Sequence, residues 1–137
     1  MISIMAGLKG EGKTRRLIDT ANERVGVCKG NIVFIDDDRR HIHDVHKKIR
    51  FVCTEDFPLA THRELGAFIH GILSQDGDIR EMYLDGLNNL VKSIDNDGCV
   101  ELAAILTAVS KSYDVAFTLS INSEKEALPK ELQALVV

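Results

Sequence analysis

The sequence predicts an α/β domain: a three-layer α/β/α arrangement around a mostly parallel five-stranded sheet. Three observations predict it. Five short runs rich in apolar and β-branched residues recur along the 137 residues, separated by stretches with helical spacing. Most of these runs are continuous rather than alternating, as strands buried on both faces are. The first run passes through a glycine-rich stretch straight into a helical one.

Composition bounds the function classes. The length suits one domain, residues 1–137, and buries a core without covalent staples. No run approaches the roughly 20 apolar residues that a membrane span requires, so no membrane partner is expected. Met1 leads directly into the first apolar run, which leaves no room for a signal peptide. Cys28, Cys53 and Cys99 are widely spaced and form no C-x-x-C, so neither a disulfide framework nor a zinc site is indicated. These features predict a cytoplasmic protein. A net charge of -4, no tryptophan and 5% aromatic residues argue against a nucleic-acid surface.

Ile2-Ser3-Ile4-Met5-Ala6 reads as a buried strand. Gly7-Leu8-Lys9-Gly10-Glu11-Gly12-Lys13-Thr14 follows and fits G-x-x-x-x-G-K-[ST], the phosphate-binding P-loop. Gly7, Gly10 and Gly12 lack a Cβ, so the backbone can take positive φ and approach a phosphate. Successive N–H groups then form an anion nest, and the helix starting near Lys13 adds its dipole. Leu8, Lys9, Glu11 and Arg15 complete the candidate nucleotide-binding stretch. Lys13 is the candidate for the terminal phosphates and Thr14 for a Mg²⁺ ligand. Arg15 or Arg16 could touch phosphate, or act in trans in an oligomer; a helix-surface position is the better account of each.

Leu17, Ile18, Ala21 and Val25 form the helical stripe, closed by Gly26 and Gly30. Asn31–Ile35 is the second strand and runs into Asp36-Asp37-Asp38, three carboxylates where α/β sheets carry their chemistry. A solvated turn and helix cap is the plainer account of that cluster. Arg39–Lys48 reads as a basic, solvated helix with Ile42 and Val45 buried. Its His41, His43 and His46 do not converge at helical spacing. Residues 49–54 form the third strand. Thr61-His62-Arg63-Glu64 is a capping box ahead of the face Leu65, Phe68, Ile69, Ile72, Leu73. Glu81–Leu84 is the fourth strand and ends in Asp85, a candidate carboxylate for Mg²⁺ opposite Thr14. Gly86–Leu90 is expected to lead away from the site, and Asp95–Gly98 to be a loop or cap. Glu101–Tyr113 is helical. Val115–Ser120 is the last strand, where Thr118 or Ser120 could hydrogen-bond near a phosphate. Ser123–Glu126 is another capping pattern, Pro129 is expected in the first turn of a last helix, and Leu132, Leu135 and Val136 pack on the sheet or on a partner.

With these residues in place, the chain resembles a small P-loop NTPase, most nearly of the RecA-like branch. The matching pieces are GLKGEGKT at 7–14, VFIDDD at 33–38, IRFVCTED at 49–56 and MYLDGLNNL at 82–90. It also resembles short bacterial P-loop proteins of unassigned function. The resemblance implies bound ATP or another NTP with Mg²⁺, Asp85 as the second metal ligand, and a last strand inserted between the P-loop strand and the Asp85 strand. A kinase-like order would leave those two adjacent. It also implies a water-activating acid after the second strand. Asp38 is the matching position, with Asp37 beside it, one methylene shorter than the glutamate usual there. NTP hydrolysis is the expected activity, and the shorter acid and the absence of further strands put slow or partner-dependent hydrolysis on a level with efficient turnover. A nucleotide-dependent switch without turnover and a small-molecule kinase are the alternatives. A P-loop strand near a sheet edge would favour a homo-oligomer or another protein partner.

Overall fold

The apolar runs become strands β1 (Ile2–Gly7), β2 (Asn31–Asp36), β3 (Arg50–Cys53), β4 (Ile79–Leu84) and β5 (Ala116–Asn122). The structure is a computed structural model and describes residues Met1 to Val137. The five strands form one sheet in the order β1-β5-β4-β2-β3, and every neighbouring pair is parallel. The expectation of a mostly parallel sheet thus becomes an all-parallel one. Strand β5 lies between β1 and β4, the order that the resemblance implies. Helices α1 (Lys13–Glu23), α2 (His62–Gln75), α3 (Leu87–Leu90), α4 (Asn96–Tyr113) and α5 (Lys130–Gln133) complete the chain.

Alternate strand side chains point to opposite faces, and two cores result. Met5, Phe34 and Tyr83 pack with Leu17, Ile18 and Ala21 of α1 and with Val45 and Ile49. On the other face Ile4, Val33, Ile35, Met82, Leu84, Phe117 and Leu119 pack with Leu65 and Ile69 of α2 and Leu102 and Leu106 of α4. Helices therefore flank both faces of the sheet.

Local signals explain most boundaries. The α2 capping box forms as its sequence predicts: Glu64 N–H donates to Thr61 Oγ1 at 3.1 Å, and Thr61 N–H to Glu64 Oε2 at 3.2 Å. Helix α4 starts at Asn96 rather than Glu101, because the Asp95 side chain accepts from Gly98 N–H at 2.7 Å and caps it.

Three expectations are corrected. Residues 39–48 form turns and bends, not a helix. Val45 is their one buried apolar side chain before Ile49, while Ile42 is 37% exposed; a helix without an apolar face has little tertiary support. The Asn22 side chain instead holds the segment, donating to Asp44 O at 2.9 Å and accepting from His46 N–H at 2.8 Å. The Ser123–Glu126 pattern makes no side-chain cap, and only a short 3₁₀ turn follows at Lys125–Ala127. Pro129 caps α5 from outside rather than occupying its first turn.

Of the two alternatives for the C-terminal tail, the sheet is the one found. Ile4 N–H donates to Leu135 O and Val137 N–H to Ile4 O, both at 2.9 Å. The tail thereby covers the outer edge of β1, the edge at which self-association was expected.

Candidate functional site

The C-terminal ends of β1, β2, β4 and β5 open onto one cavity of about 440 Å³. Its floor is the glycine-rich loop. Gly10 and Gly12 have φ of 89° and 80°, in the left-handed region that favours glycine. A Cβ at Gly7 would come to 3.0 Å from Glu11 Oε2, so the Glu11 side chain would have to give way, and would lie in ordinary contact with the Lys13 stem, 3.5 Å from Cδ. Glycine at 12 caps α1 without a side-chain bond, and the first turn of α1 carries no acidic residue. The N–H groups of that turn are left to face the cavity with the positive end of the helix dipole.

Lys13 is 7% exposed. Its Nζ donates to the Leu8 carbonyl at 2.8 Å, which ties it across the loop. Burial pulls its pKa below the ordinary lysine value, and the Glu11 and Asp85 carboxylates pull it partly back. Thr14 Oγ1 donates to Asp85, 3.0 Å from Oδ2 and 3.2 Å from Oδ1, across 71 residues of sequence. Asp85 is 6% exposed. Its Oδ1 also accepts from Ser120 Oγ at 2.9 Å, and Ser120 Oγ accepts from Gly86 N–H at 2.7 Å. Asp85 N–H donates to Ile35 O, so the backbone fixes the carboxylate as well.

Strand β2 ends on Asp36, 2% exposed. Its Oδ1 accepts from Asp37 N–H at 2.7 Å, while Oδ2 is buried with no partner. Ile35 pairs with Leu84, so Asp36 and Asp85 leave neighbouring strands at the same level. Burial first, then Asp37 and Asp85, push the Asp36 carboxyl up to about 8. Single carboxylate oxygens of Asp36, Asp37 and Asp38 lie within 4.8 Å of one another.

The candidates divide as follows. Lys9, Gly10, Gly12, Lys13, Thr14, Arg15, Asp37 and Asp85 line the cavity together. Gly7 is buried beneath the loop, and Leu8 and Glu11 shape it from outside the lining. Asp38 is drawn away: its carboxylate accepts from Arg40 Nε at 2.8 Å and from Arg40 N–H at 3.0 Å. Arg15 also sits 3.4 Å from exposed Asp19 on the helix surface. The three histidines stay apart in role: His41 lines the cavity and pairs with Asp44, while His46 accepts from Lys48 N–H.

Sequence reasoning missed several lining residues. Gly86 turns the chain through φ 68° into α3 rather than away, which brings Asn89 into the lining. Asn88 Oδ1 then accepts from Asn122 N–H at 2.8 Å, tying α3 to the end of β5. Arg40, His41 and Asp44 form the opposite wall through the turns of residues 39–48. A glycine directly after Asp85 was the one available signal for the α3 turn. The arrangement gathers cationic and N–H donors on one side and hard oxygen donors on the other, which is chemistry for an anion accompanied by a hard cation. The chain matches no protein-family model, and no curated protein is recognisably similar to it in sequence.

Proposed function

We propose that the chain is a P-loop NTPase of the RecA-like kind, which binds ATP or another NTP with Mg²⁺ and hydrolyses it slowly. The observation that carries this reading is the Thr14 hydroxyl held 3.0 Å from Asp85 directly after a glycine-rich loop. Mg²⁺ favours oxygen ligands and few carboxylates, and a threonine hydroxyl beside one aspartate suits that preference. When bound, the cation supplies neutralisation of phosphate charge. The chain's own residues do the rest. The loop amides and the first turn of α1 bind phosphate oxygens. Lys13, pre-positioned by Leu8 O, places its ammonium against charge that grows as the phosphoryl group leaves. Ser120 holds Asp85 in place. Asp37, which lines the cavity where Asp38 does not, orients the attacking water and accepts its proton.

The Asp38–Arg40 ion pair favours a second reading, a nucleotide-dependent switch with little turnover, since it occupies the acid at the expected water-activating position. One experiment separates them. Titration with ATP and Mg²⁺, followed by phosphate release, is expected to show binding and slow hydrolysis. Lys13→Ala is expected to lower turnover about 100-fold, and Asp85→Asn to raise the Mg²⁺ concentration that binding and turnover require. Binding without phosphate release selects the switch. Unchanged affinity and hydrolysis in Lys13→Ala overturns both.

A further inference from the structure

The sheet has one open edge. β3 pairs with β2 on one side and with no strand on the other, while the tail covers β1 at Ile4. An uncovered edge is a template for another strand, and proteins usually blunt it with proline, bulges or charges. Arg50-Phe51-Val52-Cys53 has no proline and pairs with β2 without a bulge. A groove of about 730 Å³ runs along it, lined by all four residues of β3 and by Phe68, Gly71 and Ile72 of α2. Gly71 has no packing role within the chain: a Cβ there would meet nothing within 4 Å, whereas one at Gly66 would meet Ile105 at 3.1 Å. A glycine in a helix interior is costly, and here it leaves the wall beside β3 flat.

Charge is ordered along this edge. Lys47, Lys48 and Arg50 precede its centre; Glu55 and Asp56 follow it. Such a segment is complementary to itself when antiparallel. We propose that the open edge of β3 is a self-association surface, at which two copies of the chain pair antiparallel about Val52. Their sheets then join into one. In that register Phe51 faces Cys53 of the second copy, and the exposed turn that carries Lys47 and Lys48 comes to the same end of the joined edge as the turn that carries the second copy's Glu55 and Asp56. The two-fold axis repeats every pair. Lys47 and Lys48 are exposed, and neither makes an ion pair within the chain. Arg39 bonds Glu55 at 2.7 Å and Asp56 at 2.8 Å, so one net negative charge remains to draw the lysines. Phe57, next in sequence and 82% exposed, extends the surface with an unburied aromatic ring. A strand of another protein has no reason to carry this order of charges, so the second copy is the occupant the surface fits.

Sedimentation velocity of the whole chain, from micromolar to sub-millimolar concentration, is expected to show a monomer–dimer equilibrium that weakens as salt rises. Lys47→Glu with Lys48→Glu is expected to weaken the dimer by at least roughly tenfold, and Glu55→Lys with Asp56→Lys likewise. Each variant opposes like charges to itself, but the two are complementary to each other. An equal mixture is therefore expected to regain a dimer of wild-type strength. Amide exchange supplies a readout that needs no variant: protection at Phe51–Cys53 rises with protein concentration. A wild-type chain that stays monomeric throughout overturns the proposal. So do variants that dimerise as wild type does, or a mixture that fails to recover.

Discussion

Strand β4 carries a buried carboxylate near each end, Glu81 toward its start and Asp85 just past its finish. Glu81 is fully answered. Arg24 reaches it through Nε at 2.9 Å and Nη2 at 2.8 Å, and the buried Tyr83 hydroxyl donates to it at 2.5 Å. Burial pushes the Glu81 carboxyl up, but the bonds from Arg24 and Tyr83 outweigh it and leave its pKa below the ordinary value. Asp85 keeps different company. Its neighbour on the adjacent strand is Asp36, another buried carboxyl with an unpartnered oxygen and a pKa near 8. One end of the strand is electrostatically closed within the chain. The other leaves a buried carboxyl oxygen without a partner inside the chain, and that is the end with the glycine-rich loop. A buried polar group left unmatched costs stability, so its position marks where a cation or ligand would repay the cost.

One substitution breaks the closed end. Glu81→Ala leaves the buried Tyr83 hydroxyl without its acceptor, and stability is expected to fall by about 2 kcal/mol. Urea unfolding at constant m reads it, and nucleotide binding at the far end is expected to be unchanged. A loss of binding equal to that of Lys13→Ala would show that the two ends are not independent.

The pH dependence of stability sharpens the same contrast, because the two carboxyls shift in opposite directions. Asp36 has a raised folded pKa, so the folded state holds a proton that the unfolded state has released. Its contribution is fully present below about pH 4 and is lost as pH rises toward about 8, with a slope of up to about 1.4 kcal/mol per unit. Glu81 has a lowered pKa, so its contribution is present above the ordinary glutamate value and is lost as pH falls through the folded value. Chemical unfolding across this range should show both limbs. Asp36→Asn is expected to flatten the neutral limb and leave the acid one. A neutral limb that persists in Asp36→Asn would assign it to another group.

Much of this was legible in the sequence, and the residues that were not share a cause. The loop, Lys13 and Thr14 sit in eight consecutive residues, so spacing alone singles them out as candidates, and the structure places them on one cavity. Asp85 is legible because an apolar strand ends on it. The role of Asp36 was harder to read, since three carboxylates in a row look alike. Which one turns inward is set by where β2 stops pairing, at Asp36 opposite Cys53. Arg40, His41 and Asp44 reach the cavity only because Asn22, on another element, holds their segment as turns. Self-pairing was expected at β1, but its edge is taken by a tail some 130 residues away, a long-range bridge that no local pattern announces. Tertiary partners decided each of these.

Ser120 offers the finest cut between a structural and a functional role. It was one of two hydroxyls on β5 that could approach a phosphate. The structure instead has it donate to Asp85 and accept from the Gly86 amide. Ser120→Ala removes both bonds and is expected to cost about 1 kcal/mol or less of stability. Thr14 still bonds Asp85, so the carboxylate stays in the site but is held from one side only. If Asp85 holds Mg²⁺ as proposed, losing a residue that orients it is expected to change metal affinity by about tenfold or more. The effect should therefore appear as a raised Mg²⁺ requirement for nucleotide binding, measured by titrating Mg²⁺ at fixed ATP. Mg²⁺ dependence identical to wild type, alongside the lost stability, would make Ser120 a brace for the α3 turn and nothing more.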